Sequence, residues 1–208
     1  MKRSILRFAS ALVVLSTVFL TGCSKDKDDE SGSTVTPVEA KTISDLNATT
    51  KVYINLKTGA TVSAAEANAT NWDLSVLGEG RTLVLGVNSG TNGTGTAGAQ
   101  IVETGFDDLA EAPAEGYLAG TEAIGDYLKW STYTGSTTTP NHAILPKPGL
   151  SIVVRTADGK YSKIQIVSLY QGNPNTSTEA FANLATRPAF GYLTFRYATQ
   201  TENTRRFK

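Results

Sequence analysis

The stretch LSIVVRTADGKYSKIQIVSLY, residues 150–170, reads as two strands folded about one tight turn. Asp158-Gly159 is the reversal, because glycine takes positive φ at no steric cost where a chain must double back. After the turn the side chains alternate. Ser162, Ile164, Ile166, Ser168 and Tyr170 share one face, and Tyr161, Lys163, Gln165, Val167 and Leu169 share the other. A period of two is that of a strand with one buried face and one mixed face. GYLTFRYATQ (191–200) repeats the pattern, with Leu193, Phe195 and Tyr197 together.

Working outward, KVYINLKTGATV (51–62) holds two short runs around Thr58-Gly59, a second hairpin. WDLSVLG (72–78), RTLVLGVN (81–88) and AQIVET (99–104) are further strands. AAEAN (64–68) and FDDLAEAPAEGY (106–117) suggest helical turns, and the second half of EAIGDYLKWSTY (122–133) reads as strand. No internal repeat is visible. The order, mostly strands with brief helical insertions, predicts a mainly β, antiparallel domain. At 208 residues the chain is long enough for one sizeable core.

The N-terminus reads as a targeting segment. Lys2, Arg3 and Arg7 precede an apolar run, Phe8 to Phe19, that is too short for a permanent membrane span. It leads into Leu20-Thr21-Gly22-Cys23, which resembles a bacterial lipobox. The expected arrangement is a signal peptide over 1–22, a lipid on Cys23, an acidic and polar tether over 23–42, and a folded domain over 43–208. Acyl chains contribute about 0.8 kcal/mol per buried CH₂, so several of them anchor a protein stably. The acidic run SKDKDDE (24–30) looks like a surface-export signal, which points to the outer membrane with the domain facing outward. Cleavage takes three of the 19 cations and none of the 19 anions, leaving a net charge of −3. With no basic patch, nucleic acid is not an expected partner. Acylation of Cys23, the sole cysteine, leaves no thiol for a disulfide or for catalysis.

Candidate chemistry is sparse. GTGTAG (93–98) matches GxGxxG after a strand, but the residues that follow are β-like, and no helix opens there to meet a pyrophosphate. A flexible glycine-rich loop is the better reading. Asp107 and Asp108 are adjacent, so on a strand they point to opposite faces. His142 is the only histidine, which rules out a usual zinc site, and no GxSxG elbow accompanies it. An enzyme is therefore not expected. Aromatic side chains, among them Trp130, Tyr133, Tyr161, Tyr170 and Phe195, concentrate in the C-terminal half. Most belong in a core, and a few suit a cleft for a flat apolar ligand.

Several blocks carry a resemblance. NWDLSVLGEGRTLVLGVNSGTNGTGTAG (71–98) resembles the WD-strand and glycine-rich loop of the HmuY-like haem-binding lipoproteins. LKWSTY (128–133), NHAILPKPGLSIVVRTADGKYSKIQIVSLY (141–170) and YLTFRY (192–197) resemble that family's later strands, in the same order. The resemblance spans residues 50–208. It implies a hand-shaped β domain that grips haem between hairpins and passes it to a TonB-dependent outer-membrane receptor. In the family two axial side chains, histidines or methionines, hold the iron. Carried over, one position falls within 118–127, LAGTEAIGDY, and the other near Thr132 or Tyr133. Neither place offers histidine or methionine, and Met1 leaves with the signal peptide.

What remains is a non-catalytic binder of haem or a related porphyrin, serving iron acquisition. Its candidate ligands are His142 on one side of the ring and Tyr127 or Tyr133 near the other. Arg81, Lys129 or Lys147 would meet the propionates. Against the ligand role, His142 reads as an edge-strand residue. The alternative function is the same fold without haem, a surface binding or adhesion module for a glycan or protein.

Overall fold

The computed structural model describes residues 37–208. The expected signal peptide, Cys23 and most of the tether lie outside the described residues.

The elements are β1 (Lys41–Asn47), β2 (Val52–Ile54), β3 (Thr61–Val62), β4 (Leu74–Glu79), β5 (Thr82–Val87) and β6 (Gly98–Val102). They continue with β7 (Ser131–Tyr133), β8 (Ile144–Pro146), β9 (Ser151–Arg155), β10 (Tyr161–Tyr170) and β11 (Phe190–Gln200). One helical turn, α1 (Glu179–Ala182), lies between β10 and β11. The strands form a five-stranded sheet ordered β1-β11-β10-β9-β6, a four-stranded sheet ordered β3-β2-β4-β5, and the two-stranded ribbon β7-β8. Their pairings are antiparallel, as the alternating patterns predict. Side chains from both larger sheets, including Ile54, Leu74, Val76, Ile152, Ile164 and Phe195, join in one apolar cluster.

The central hairpin forms where 150–170 places it. Gly159 has φ 79° at the turn, and Tyr161 pairs with Arg155. On β10 the face carrying Ser162, Ile164, Ile166, Ser168 and Tyr170 is buried throughout. The other face is mixed because a local lid covers only part of it. Lys163 Nζ donates to the carbonyls of Phe106 (2.6 Å) and Leu109 (3.0 Å), beneath the rings of Phe106 and Phe207. Burial holds its amine below the ordinary lysine value.

The sheet carrying WD is fixed to this hairpin by Asp73. Its Oδ2 accepts from the Leu56 amide and its Oδ1 from the Ala157 amide, both at 2.8 Å. Ala157 sits in the β9–β10 turn, so one carboxylate joins the two sheets. The glycine-rich loop after β5 holds no nucleotide-binding helix. Asn88 organises it, donating to the carbonyls of Asn68 and Trp72 and accepting from the Gly95 amide at 3.1 Å. A Cβ at Gly93 would collide with Asn88 and Trp72, and one at Gly95 with the backbone of Ala69 and Asn88. These glycines answer a packing demand, not a phosphate.

The helical expectations reduce to single turns. Ala67 bonds back to Ser63 and Leu109 to Gly105, each at 3.0 Å. The strand expected late in 122–133 is shorter than that reading. Tyr127–Lys129 form a 3-10 turn, because the Asp126 side chain caps Leu128 N–H at 3.0 Å, and only Ser131–Tyr133 remain extended.

Stability is expected to fall as pH climbs from about 10 to about 12. Burial pushes the Tyr117 phenol up to about 12, against an ordinary value of 10. Between those limits the unfolded chain loses this proton while the folded chain keeps it, so the contribution present below pH 10 is lost as pH rises. Tyr170 and Tyr197 shift the same way by burial, and Lys163, lowered, opposes them. Denaturant midpoints across that window should decline in the wild type and decline less in Tyr117→Phe.

Candidate ligand-binding cleft

The tip of the ribbon β7-β8, residues 134–143, shares the lining of one cavity with the β4–β5 turn and the first residue of β11. Thr134 folds the tip. Its amide donates to the Ala143 carbonyl, and its hydroxyl donates to the Pro140 carbonyl and accepts from the Ala143 amide. His142 lies in that tip with φ 50°, not on strand β8 as the edge-strand reading expected. Two contacts impose the turned backbone. The His142 amide donates to the Gly135 carbonyl at 2.6 Å. Arg187 donates from Nη1 to the His142 carbonyl (3.0 Å) and from Nη2 to the Asn141 carbonyl (2.8 Å).

Arg187 also donates from Nε to the Phe181 carbonyl at 2.8 Å and stacks its guanidinium over the Phe181 ring. It therefore ties the ribbon tip to α1. That short helix starts at Thr178, whose hydroxyl accepts from the Phe181 amide at 3.3 Å. Phe181 in turn meets Tyr170 edge-on at 4.8 Å between centroids, and Tyr170 meets Phe190 at 5.6 Å. The Tyr170 hydroxyl accepts from the Ile144 amide at 3.0 Å, and burial raises its pKa.

These groups enclose a cleft of about 610 Å³, within the range that holds small ligands and cofactors. Tyr127, Tyr133, Ile144, Tyr170, Leu184, Pro188 and Phe190 supply apolar and aromatic lining, while His142, Arg81 and Arg187 supply polar groups. The three ligand candidates chosen from sequence thus line one cleft, and Arg81 joins them. Lys129 and Lys147 do not. Their Nζ atoms donate to the carbonyls of Glu122 and Leu128, both at 2.6 Å. Arg187 went unseen in the sequence, since its role depends on contacts some 45 residues away.

The closest polar contact in the cleft joins Tyr133 Oη and His142 Nδ1 at 2.5 Å. Two atoms so close cannot sit on opposite faces of one flat ring, so the arrangement with His142 on one side and Tyr133 on the other does not fit this geometry. The segment 118–127 is held to the body by Trp130, which is fully buried and donates from Nε1 to the Ile124 carbonyl at 2.8 Å. Among the described residues no three histidine, cysteine, aspartate or glutamate side chains gather as a metal cluster.

Fold and cleft together define an antiparallel β domain with an aromatic-walled cavity beside a projecting ribbon. The HmuY protein family model matches residues 47–182, and the chain belongs to that family. The match includes Tyr127, Tyr133 and His142 and stops short of Arg187. The crystal structure of the apo HmuY analog from Tannerella forsythia is similar with a TM-score of 0.50 and 18% identity, over 79% of this chain and 96% of that one. Apo PinO from Porphyromonas gingivitis aligns with a TM-score of 0.48 and 13% identity, over 79% of this chain and 98% of that one. At these identities the likeness concerns the fold alone. No curated protein matches the chain.

Proposed function

We propose that the protein is a surface lipoprotein that binds haem or a related porphyrin in this cleft, without turning it over. The observation that carries the reading is the convergence of a coupled tyrosine–histidine pair, aromatic walls and two arginines around one cavity.

The residues present fit such a group. Apolar faces of a macrocycle find Tyr127, Tyr170, Leu184 and Phe190. One propionate finds Arg81; Arg187, whose Nε, Nη1 and Nη2 already donate to backbone carbonyls, adds positive charge to the same cavity. The iron finds one donor from the Tyr133–His142 pair, so ligation is single on that side and the two-histidine or two-methionine clamp is replaced. When bound, the group supplies iron for acquisition, and the chain's part is to hold it and exclude water. A lipid on Cys23 would keep the domain at the outer membrane, facing outward, where a TonB-dependent receptor can take the ligand over.

A haemin titration tests this. Wild-type protein should give a saturable Soret shift. A Tyr133→Phe/His142→Ala double variant should bind about tenfold weaker or worse, about 1.4 kcal/mol. The absence of a saturable shift in both ferric and ferrous haem would remove porphyrin from the reading.

A further inference from the structure

We propose that Tyr133 supplies the iron donor as a phenolate, that His142 acts through it, and that the cleft is therefore selective for ferric over ferrous porphyrin. This rests on the porphyrin reading above and specifies the oxidation state it accepts.

Oη of Tyr133 and Nδ1 of His142 share one hydrogen between them at 2.5 Å. An imidazole nitrogen is a stronger acceptor than a phenol oxygen, whose lone pairs are partly drawn into the ring. The phenol therefore donates and Nδ1 accepts, which puts the imidazole hydrogen on Nε2. In that tautomer the single ring lone pair is already engaged, and the histidine has none left for a metal. The hydroxyl oxygen does.

Placement agrees. His142 is clamped through its backbone, by Arg187 at the carbonyl and by Gly135 at the amide. A backbone-fixed imidazole is suited to orienting a neighbour. Tyr133 ends β7 with 45% of its surface exposed, the most open aromatic of the cleft. Arg81 and Arg187 line the same cavity.

With ferric haem bound, Tyr133 Oη would bond the iron and its proton would pass to His142 Nδ1, the ligand that held that position would leave to solvent, and no electron would change hands. An anionic, hard oxygen suits ferric iron, and tyrosine is an established haem ligand chemistry. Reduction removes one positive charge from the metal and weakens the bond, whereas an imidazole donor would tolerate both states.

The test is parallel titration of the purified protein with haemin and with dithionite-reduced haem, followed by resonance Raman of the ferric complex. Expected are phenolate–iron vibrations and a ferric affinity at least about tenfold above the ferrous one. Tyr133→Phe should abolish the phenolate vibrations. His142→Ala should keep them while lowering ferric affinity about 10–100-fold, as loss of an orienting partner does. His142→Gln, whose amide oxygen can accept the same hydrogen bond, should recover part of that loss. Phenolate vibrations missing from the wild-type ferric complex, or equal affinity for both oxidation states, would overturn the inference. So would a His142→Ala variant that loses its ferric spectrum while Tyr133→Phe keeps it. Failure of the wild type to bind either form sinks the porphyrin reading itself, a result distinct from these.

Discussion

Asp73→Ala is expected to destabilise the folded chain by about 3 kcal/mol, lowering the melting temperature by roughly 6–12 °C for a domain of this size. Asp73 is 4% exposed, and each of its carboxylate oxygens accepts a backbone amide. Removing it strands the Leu56 and Ala157 N–H groups. A buried donor without a partner costs about 1–3 kcal/mol; Leu56 is fully buried and Ala157 half-buried. The loss also unties the four-stranded sheet from the turn of the central hairpin. Burial pushes the carboxyl's pKa up while the two amides pull it down. Asp73→Asn retains one acceptor oxygen and should fall between wild type and alanine. Thermal and urea unfolding measure both. A melting temperature lowered by less than about 2 °C in Asp73→Ala would deny the carboxylate this joining role.

Trp130→Ala should cost about 3–5 kcal/mol, the usual range for emptying a buried tryptophan site. Its side chain is fully buried in the main cluster, and its Nε1 holds the Ile124 carbonyl. The indole lies beneath the segment that carries Tyr127, so the substitution should weaken haemin binding as well as stability. Trp130→Phe keeps much of the volume but loses the donor, and about 1–2 kcal/mol is expected there. Equilibrium denaturation separates the two. Equal stability for both variants would mean that volume matters little at this position.

Local patterns made most of the fold legible. The period of two in 161–170 and the Asp158-Gly159 turn specify a hairpin that needs no distant partner, and the fold contains it. The glycine-rich loop was legible as a loop because no helix follows it. Its particular glycines were not, since they answer to Asn88, Trp72 and Ala69, which are remote in the chain. The strand read in the second half of 122–133 survives only as Ser131–Tyr133, because the side-chain cap at Asp126 draws Tyr127–Lys129 into a 3-10 turn. The short helix α1 was missed for a similar reason. It is one turn long, and its start depends on Thr178 alone.

For the site, residue type did what periodicity could not. His142, Tyr133 and Tyr127 were singled out by elimination and by resemblance, and the fold gathers all three around one cavity. The hydrogen bond within the pair, the turned backbone of His142 and the clamp from Arg187 arise from contacts across nine and 45 residues. No window of sequence displays them.

The central claim is that the cavity between the ribbon tip and α1 is where the ligand sits. Ferric haem broadens nearby NMR signals through its unpaired electrons, so a titration of isotopically labelled protein locates it directly. The amide signals of Tyr133, His142, Ile144 and Arg187 should disappear at one equivalent, while those of Gly95, Gly159 and Asn203 persist. Broadening centred on Gly159 and Asn203, or spread evenly over the chain, would contradict the account.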